Sequence, residues 1–297
     1  MKPLDKADFR ARRYLFEKKD FAQAKGEYPG PTNLIEKTTW MSIVALPDDV
    51  SIRTSDKYGP QIRTIWDYWG MWTWLVRGIQ ALTTNPAESP TAIAACDATD
   101  EFQAATYAAL VGFYRLAFSA LRNVLEQITI AVQLTLSNDA KNFRDWRNGE
   151  ERIRFGWAAD MLSSNPSVVI LEKHLKAATN DSLFAQSPKG LVRRFFVETS
   201  KYTHGVAGFA DGDSRKSNGP IFLPKTFLQW CVTALKTYAI VLHQIKLAHP
   251  TLNDVPDEIE PIGPPLSVND FRRRVIADIP PNDPELVVLN SLAAFWP

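Results

Sequence analysis

Apolar residues recur every three or four positions over most of the chain, and that spacing predicts helices. The longest such run covers residues 102–136, where Leu110, Phe113, Ala117, Leu121, Val124, Ile128 and Val132 mark one face. It predicts one long helix, with Gly112 as the place where it bends. Residues 62–82 predict a second helix, and Ile153, Trp157 and Met161 place a third within 150–162. Asn165-Pro166 supplies an N-cap and first-turn pair for a helix to about residue 178. Ser187-Pro188 repeats that signal for residues 189–204, which Gly205 ends. Phe227, Trp230, Ala234, Tyr238, Val241, Ile245 and Ala248 trace a last long helix, ended by His249-Pro250. Residues 40–46 and 50–55 read as β-prone, either side of a turn predicted at Pro47-Asp48-Asp49, and Ile221-Phe222-Leu223 reads as a short extended run.

The expected fold class is therefore all-α: a helical bundle with long antiparallel helices and a minor short β element near residues 40–55. Residues 1–58 read as an arm with that β-prone segment, and 59–250 as the bundle. Residues 251–297 read as a proline-rich linker (Pro256, Pro261, Pro264, Pro265) and a tail. The tail carries Arg272-Arg273-Arg274 and an apolar stretch at 286–296; the triplet reads as a solvated turn beside Asp270 and Asp278. Residues 138–151 read as a polar connection.

Composition changes this picture little. The chain has 297 residues, 45% hydrophobic and 23% charged, which suits a packed globular protein and excludes wholesale disorder. A net charge of +1 supplies no global field toward nucleic acid or acidic membrane, so any phosphate-binding surface must come from local clustering. Cys96 and Cys231 form no disulfide framework and suit a reducing cytoplasm. Arg115, Arg122, Asn123 and Glu126 interrupt the most hydrophobic stretch, so no membrane span is expected.

Two helical faces carry more than packing information. Arg115, Ser119, Arg122, Glu126, Thr129 and Gln133 share one narrow stripe of the 102–136 run. The stripe is either the solvated side of an amphipathic helix or an interior polar site whose charges need partners. Trp66, Trp69, Trp72 and Trp74 put four indoles in nine residues. They read either as a stacking platform for bases or, preferred because no basic stripe accompanies them, as a helix packed on several sides with an indole left at a partner interface.

The densest candidate chemistry lies where residues 189–204 end in Tyr202-Thr203-His204-Gly205, before a loop with Asp211, Asp213, Ser214, Arg215, Ser217 and Asn218. An imidazole at a helix C-terminus either caps the last carbonyls or, protonated by the helix dipole, works as an acid or base. Arg193, Arg194 and Lys201 stand on the same helix. Histidine with arginine is a workable set for cleaving RNA without metal: the imidazole moves protons, and the guanidinium holds phosphate. Asp211-Gly212-Asp213 begins like a calcium loop but has Arg215 at a ligand position and no glutamate at the twelfth. A turn is the better reading of those acids, and neither metal nor cofactor is expected. Phosphate-loop, dinucleotide and nucleophile-elbow motifs are absent.

Long antiparallel helices followed by an arginine-bearing helix ending in Tyr202-Thr203-His204-Gly205 resemble the HEPN superfamily over residues 102–249. That resemblance implies a small helical fold, a dimer with a composite site, and metal-independent RNA cleavage in toxin or antiviral defence. It casts His204 as acid or base and Arg194 on phosphate. Arg122, Glu126, Lys201, Arg193 and Arg215 would bind RNA or ligand. The family spaces its arginine and histidine by four to six residues, whereas nine residues separate Arg194 from His204 here. Residues 40–55 and Ser217-Asn218-Gly219-Pro220 also resemble parts of an uncharacterised bacterial helical family. Two function classes follow: an RNA-binding effector or ribonuclease, and a non-catalytic adaptor or oligomerisation module. The second would bind a protein partner, or itself, through the aromatic amino-terminal half and the tail.

Overall fold

The computed structural model describes residues 39, 41–185, 190–203, 220–253 and 267–296. A π-helical turn, Met41–Ala45, leads into α1 (Leu46–Leu82), followed by α2 (Pro90–Leu110) and α3 (Tyr114–Leu136). Then come α4 (Ala140–Arg147), α5 (Phe155–Ser163), α6 (Pro166–Thr179) and α7 (Leu191–Thr203). The long α8 (Pro224–Ala248) precedes two short helices, α9 (Val268–Ala277) and α10 (Leu286–Phe295). The fold is all-α, without a strand among the described residues.

The β element expected near 40–55 is helical instead. Pro47 occupies the first turn of α1, with Asp48 and Asp49 beside it. Proline has the right φ for that position and lacks only an N–H that the helix start leaves unbonded, while acids there favour the positive end of the dipole. The residues read as a turn are thus a helix start. Asp49 is buried and ion-paired to Arg53 one turn on, at 2.8 Å. At Tyr58 (φ −127°, ψ 27°), just before Pro60, α1 kinks. Residues 140–147, read as connection, form α4, whose N-cap Asp139 accepts a hydrogen bond from the Asn142 N–H at 3.2 Å.

The single helix expected over 102–136 is two helices folded back on each other. Phe113 N–H donates to the Ala108 carbonyl at 2.7 Å and Gly112 N–H to that of Ala109 at 3.2 Å. This is the double-bonded helix stop that needs a left-handed residue, and Gly112 supplies it with φ +86°. A Cβ there would lie 2.5 Å from the Ile221 carbonyl oxygen, so glycine also permits the close approach of the strip leading to α8.

The hairpin of α2 and α3 is the centre of the molecule, and α3 packs against α2, α5, α7 and α8. Trp72 of α1 is fully buried, meets Phe102 edge-on at 5.2 Å, and Phe102 stacks on Tyr238 of α8 at 4.0 Å. Val268, Phe271, Val275, Leu289 and Leu292 join the same core, so the apolar faces of the tail helices pack on their own chain. Arg272 is 1% exposed, unlike Arg273 and Arg274 beside it. The solvated reading of the arginine triplet fails there, because Arg272 shares the inward face of α9 with Phe271, Val275 and Ile276.

The tryptophans divide. Trp72 donates its indole N–H to the Ala95 carbonyl at 3.2 Å, and Trp69 to that of Thr99 at 3.4 Å. Trp74 is buried as well, whereas Trp66 is 53% exposed and stacks on Trp69 at 4.6 Å. No helix among the described residues is long and apolar enough to cross a membrane.

Candidate functional site

Helix α7 is held at its start by a compact loop. The Glu172 carboxylate accepts the N–H groups of Leu183 (3.0 Å) and Phe184 (2.7 Å). Leu191 and Val192 return hydrogen bonds to the carbonyls of Ser182 and Leu183 at 2.8 and 3.0 Å. Burial pushes the Glu172 carboxyl up, against those two backbone donors.

Both arginines of α7 serve this anchorage. Arg193 donates to the carbonyls of Phe184 and Gly156, each at 3.1 Å, and pairs with Asp160 of α5. Arg194 forks onto Asp181. Burial alone would raise the Asp181 carboxyl, but hydrogen bonds from Arg194 and the Ser182 N–H outweigh it and hold it below the ordinary range. Lys201 pairs with Glu198 on the same face as Arg194.

The polar stripe of α3 meets a different face of α7. Arg122 donates from Nε to the Ser200 hydroxyl at 3.0 Å and pairs with Glu126 at 3.1 Å. Its guanidinium covers the Phe196 ring at 4.5 Å. The Arg122 and Glu126 side chains are 16% and 26% exposed, so this is a half-buried seam open to solvent. Farther along α3 the stripe turns inward: Thr129 is buried and donates to Gln244 of α8 at 3.0 Å. Toward the helix start it opens out, where exposed Arg115 donates from Nε to the Tyr202 carbonyl at 3.3 Å.

Tyr202 fixes the end of α7. Its ring stacks on Phe118 at 3.9 Å, and its hydroxyl accepts from Gln229 of α8 at 2.9 Å. The seam therefore brings Arg122, Glu126, Ser200 and Arg115 to the carboxyl-terminal half of α7. Arg194 stands on another face, roughly 14 Å along the axis from Thr203 at about 1.5 Å per residue. His204, Arg215 and the loop acids Asp211 and Asp213 lie outside the described residues.

A second polar cluster was hidden from sequence reasoning. Arg272 of α9 bonds Asn269, approaches His243 Nδ1 at 3.4 Å, and lies 5.5 Å from the Trp296 ring. Trp296 also donates to His243 Nδ1 at 3.1 Å. Burial, with Arg273 nearby, pulls the Arg272 guanidinium down to about 9. Burial and the Arg272 charge push the His243 imidazole well below its usual value. Lys246, equally buried, donates to the Leu252 carbonyl at 2.7 Å. These groups clamp α9 and the end of α10 onto α8. Only the three-residue spacings His243–Lys246 and Asn269–Arg272 hinted at shared faces, and nothing in the sequence paired the two helices.

Among the described residues, no three or more histidine, cysteine, aspartate or glutamate side chains gather as metal ligands. Both cysteines are free thiols, and burial pushes Cys231 up to about 12. No family model, curated protein or solved structure matches the chain.

Proposed function

We propose that this protein is a HEPN-like, RNA-binding helical effector of the cytoplasm that cleaves RNA without metal, in toxin or antiviral defence. The observation that carries this reading is the Arg122 guanidinium held between Glu126, Ser200 and Phe196, with Ser200 four residues before His204. Arg115, on the Tyr202 carbonyl, adds a second guanidinium two residues before that histidine.

In this reading His204 exchanges a proton with the ribose 2′-hydroxyl or the leaving oxygen. Arg122 and Arg115 stabilise the charge that builds on the phosphate. Glu126 and Ser200 orient Arg122, while Arg193 and Arg194 hold α7 in place. The test is chelator-resistant cleavage of mixed cellular RNA by the purified protein. His204→Ala is expected to abolish it and Arg122→Ala to reduce it on the order of 10²–10³-fold, both keeping the helical content. Cleavage at the native rate in both variants overturns the assignment.

A second reading, a non-catalytic adaptor or homodimer module, draws on the stacked Trp66–Trp69 pair, whose outer indole is 53% exposed. A protein interface favours such aromatic anchors. Self-association weakened by Trp66→Ala, with RNA left intact by the native chain, selects this second reading.

A further inference from the structure

The loop before α5 and the first turn of that helix form an open groove lined by Asn142, Glu151, Arg152, Ile153, Arg154 and Trp157. Helix α5 has two unlike sides. Phe155 stacks on Phe196 of α7 at 3.7 Å, while Ala158, Ala159 and Leu162 are fully buried. Trp157, two residues on and about 200° round the helix from Phe155, faces outward. It is 44% exposed.

The groove's cations are unusual for this side of the molecule. Arg147 pairs with Asp97 at 2.7 Å, Arg144 with Glu88 at 3.7 Å, and Arg193 with Asp160. Arg152 and Arg154 are exposed and, among the described residues, have no carboxylate within ion-pairing distance. The loop presenting them is set by Gly149 (φ +76°) and by Glu150 and Glu151 N–H bonds to the Asp145 carbonyl at 2.8 and 3.2 Å. The Trp157 ring stacks on no other aromatic among the described residues. The groove's lining sets two guanidinium groups without an ion-pair partner against one carboxylate, Glu151, beside the half-exposed Trp157 indole.

We propose that this groove binds single-stranded RNA, with one base stacked on Trp157 and the flanking phosphates on Arg152 and Arg154. An indole face accepts any base, and guanidinium groups grip phosphate with two bonds, which together suit an unpaired strand. Glu151 offers an acceptor to a base N–H at the groove's edge. The inference rests on the RNA reading above for its ligand, but not on the proposed cleavage chemistry.

The experiment is fluorescence anisotropy of a labelled mixed-sequence RNA 12-mer with the full chain in chelator, with cleavage followed on gels. Trp157→Ala is expected to weaken binding about tenfold, and Trp157→Phe to restore most of it. Arg152→Ala with Arg154→Ala should reduce the slope of log affinity against log salt by about 1.4, the share of two phosphates on a single strand. A duplex of the same sequence should compete poorly. Wild-type affinity in all these variants, or equal competition by duplex, overturns the groove. Binding that depends on the groove without any cleavage keeps it and removes the nuclease reading. Cleavage unchanged by the groove variants, with unchanged affinity, removes the groove alone. No binding by the native chain removes it too.

Discussion

Arg194 closes a two-pronged bond on Asp181, Nη1 to Oδ1 at 2.9 Å and Nη2 to Oδ2 at 2.7 Å. The pair ties the first turn of α7 to the segment leaving α6, through the guanidinium that sequence reasoning assigns to phosphate. Arg194→Ala should lower stability by about 1 kcal/mol, a modest value because both groups are partly solvated. Arg194→Lys should recover only part, since an ammonium cannot fork onto a carboxylate. The depressed Asp181 carboxyl gives stability above its ordinary value of 3.8 that is lost as pH falls through the lower folded value. Urea midpoints at pH 7 and pH 3 check this. A large activity loss in Arg194→Ala at unchanged stability would return the residue to the chemistry.

Arg122 is expected to behave in the opposite way. Arg122→Ala should reduce RNA cleavage on the order of 10²–10³-fold, as loss of one preorganised charge-stabilising donor does. Ser200→Ala removes only an orienting hydroxyl, so its effect should be smaller. Initial rates in chelator measure both. A Ser200→Ala effect as large as that of Arg122→Ala would contradict the orienting role.

Gly112 and Gly149 form a matched pair for testing the hairpin. Both have positive φ, at +86° and +76°, but a Cβ at Gly149 meets nothing within 4 Å, whereas one at Gly112 meets Ile221 backbone. Gly149→Ala should cost about 1 kcal/mol of backbone strain. Gly112→Ala should cost more, about 2–4 kcal/mol, because a steric collision adds to the strain. Equal thermal midpoints for the two variants would count against the close approach of residues 220–223.

Acid should loosen the clamp between α8 and the tail helices. His243 is buried and neutral, so its folded value lies well below the ordinary 6.5. The unfolded chain therefore binds the extra proton between those two values, and stability falls as pH drops below about 6.5. The slope contributed by one such group approaches about 1.4 kcal/mol per pH unit. His243→Gln should flatten the profile between pH 6.5 and 5, leaving the part due to His249, which burial also lowers. An identical slope in the variant would place the acid sensitivity elsewhere.

Several features were legible without coordinates. The helix start at Asn165-Pro166 is confirmed by the Asn165 side chain accepting the Ser167 N–H at 3.0 Å. The apolar positions 117, 121, 124, 128 and 132 are all buried on α3. Local rules misled where one signal serves two structures: Pro47-Asp48-Asp49 suits a turn and a helix start equally, and only the burial of Val50, Thr54 and Tyr58, four apart on one face, selects the helix. Likewise, the residues of 102–136 have the same periodicity whether the run is straight or doubled back at Gly112.

The candidate site divides along the same line. Sequence spacing alone placed Arg122 and Glu126 on one stripe, because positions four apart on a helix must share a face. It also placed Arg194, Glu198 and Lys201 on another. What the stripe of α3 would face was decided only by tertiary packing, which sets it against Phe196 and Ser200 and sends Arg194 to Asp181 instead. Periodicity fixes angles about one helix axis, whereas the partner of a charged group depends on how separate axes cross. That crossing follows from the whole buried core, through contacts such as Phe155 on Phe196 and Phe118 on Tyr202, which no local pattern records.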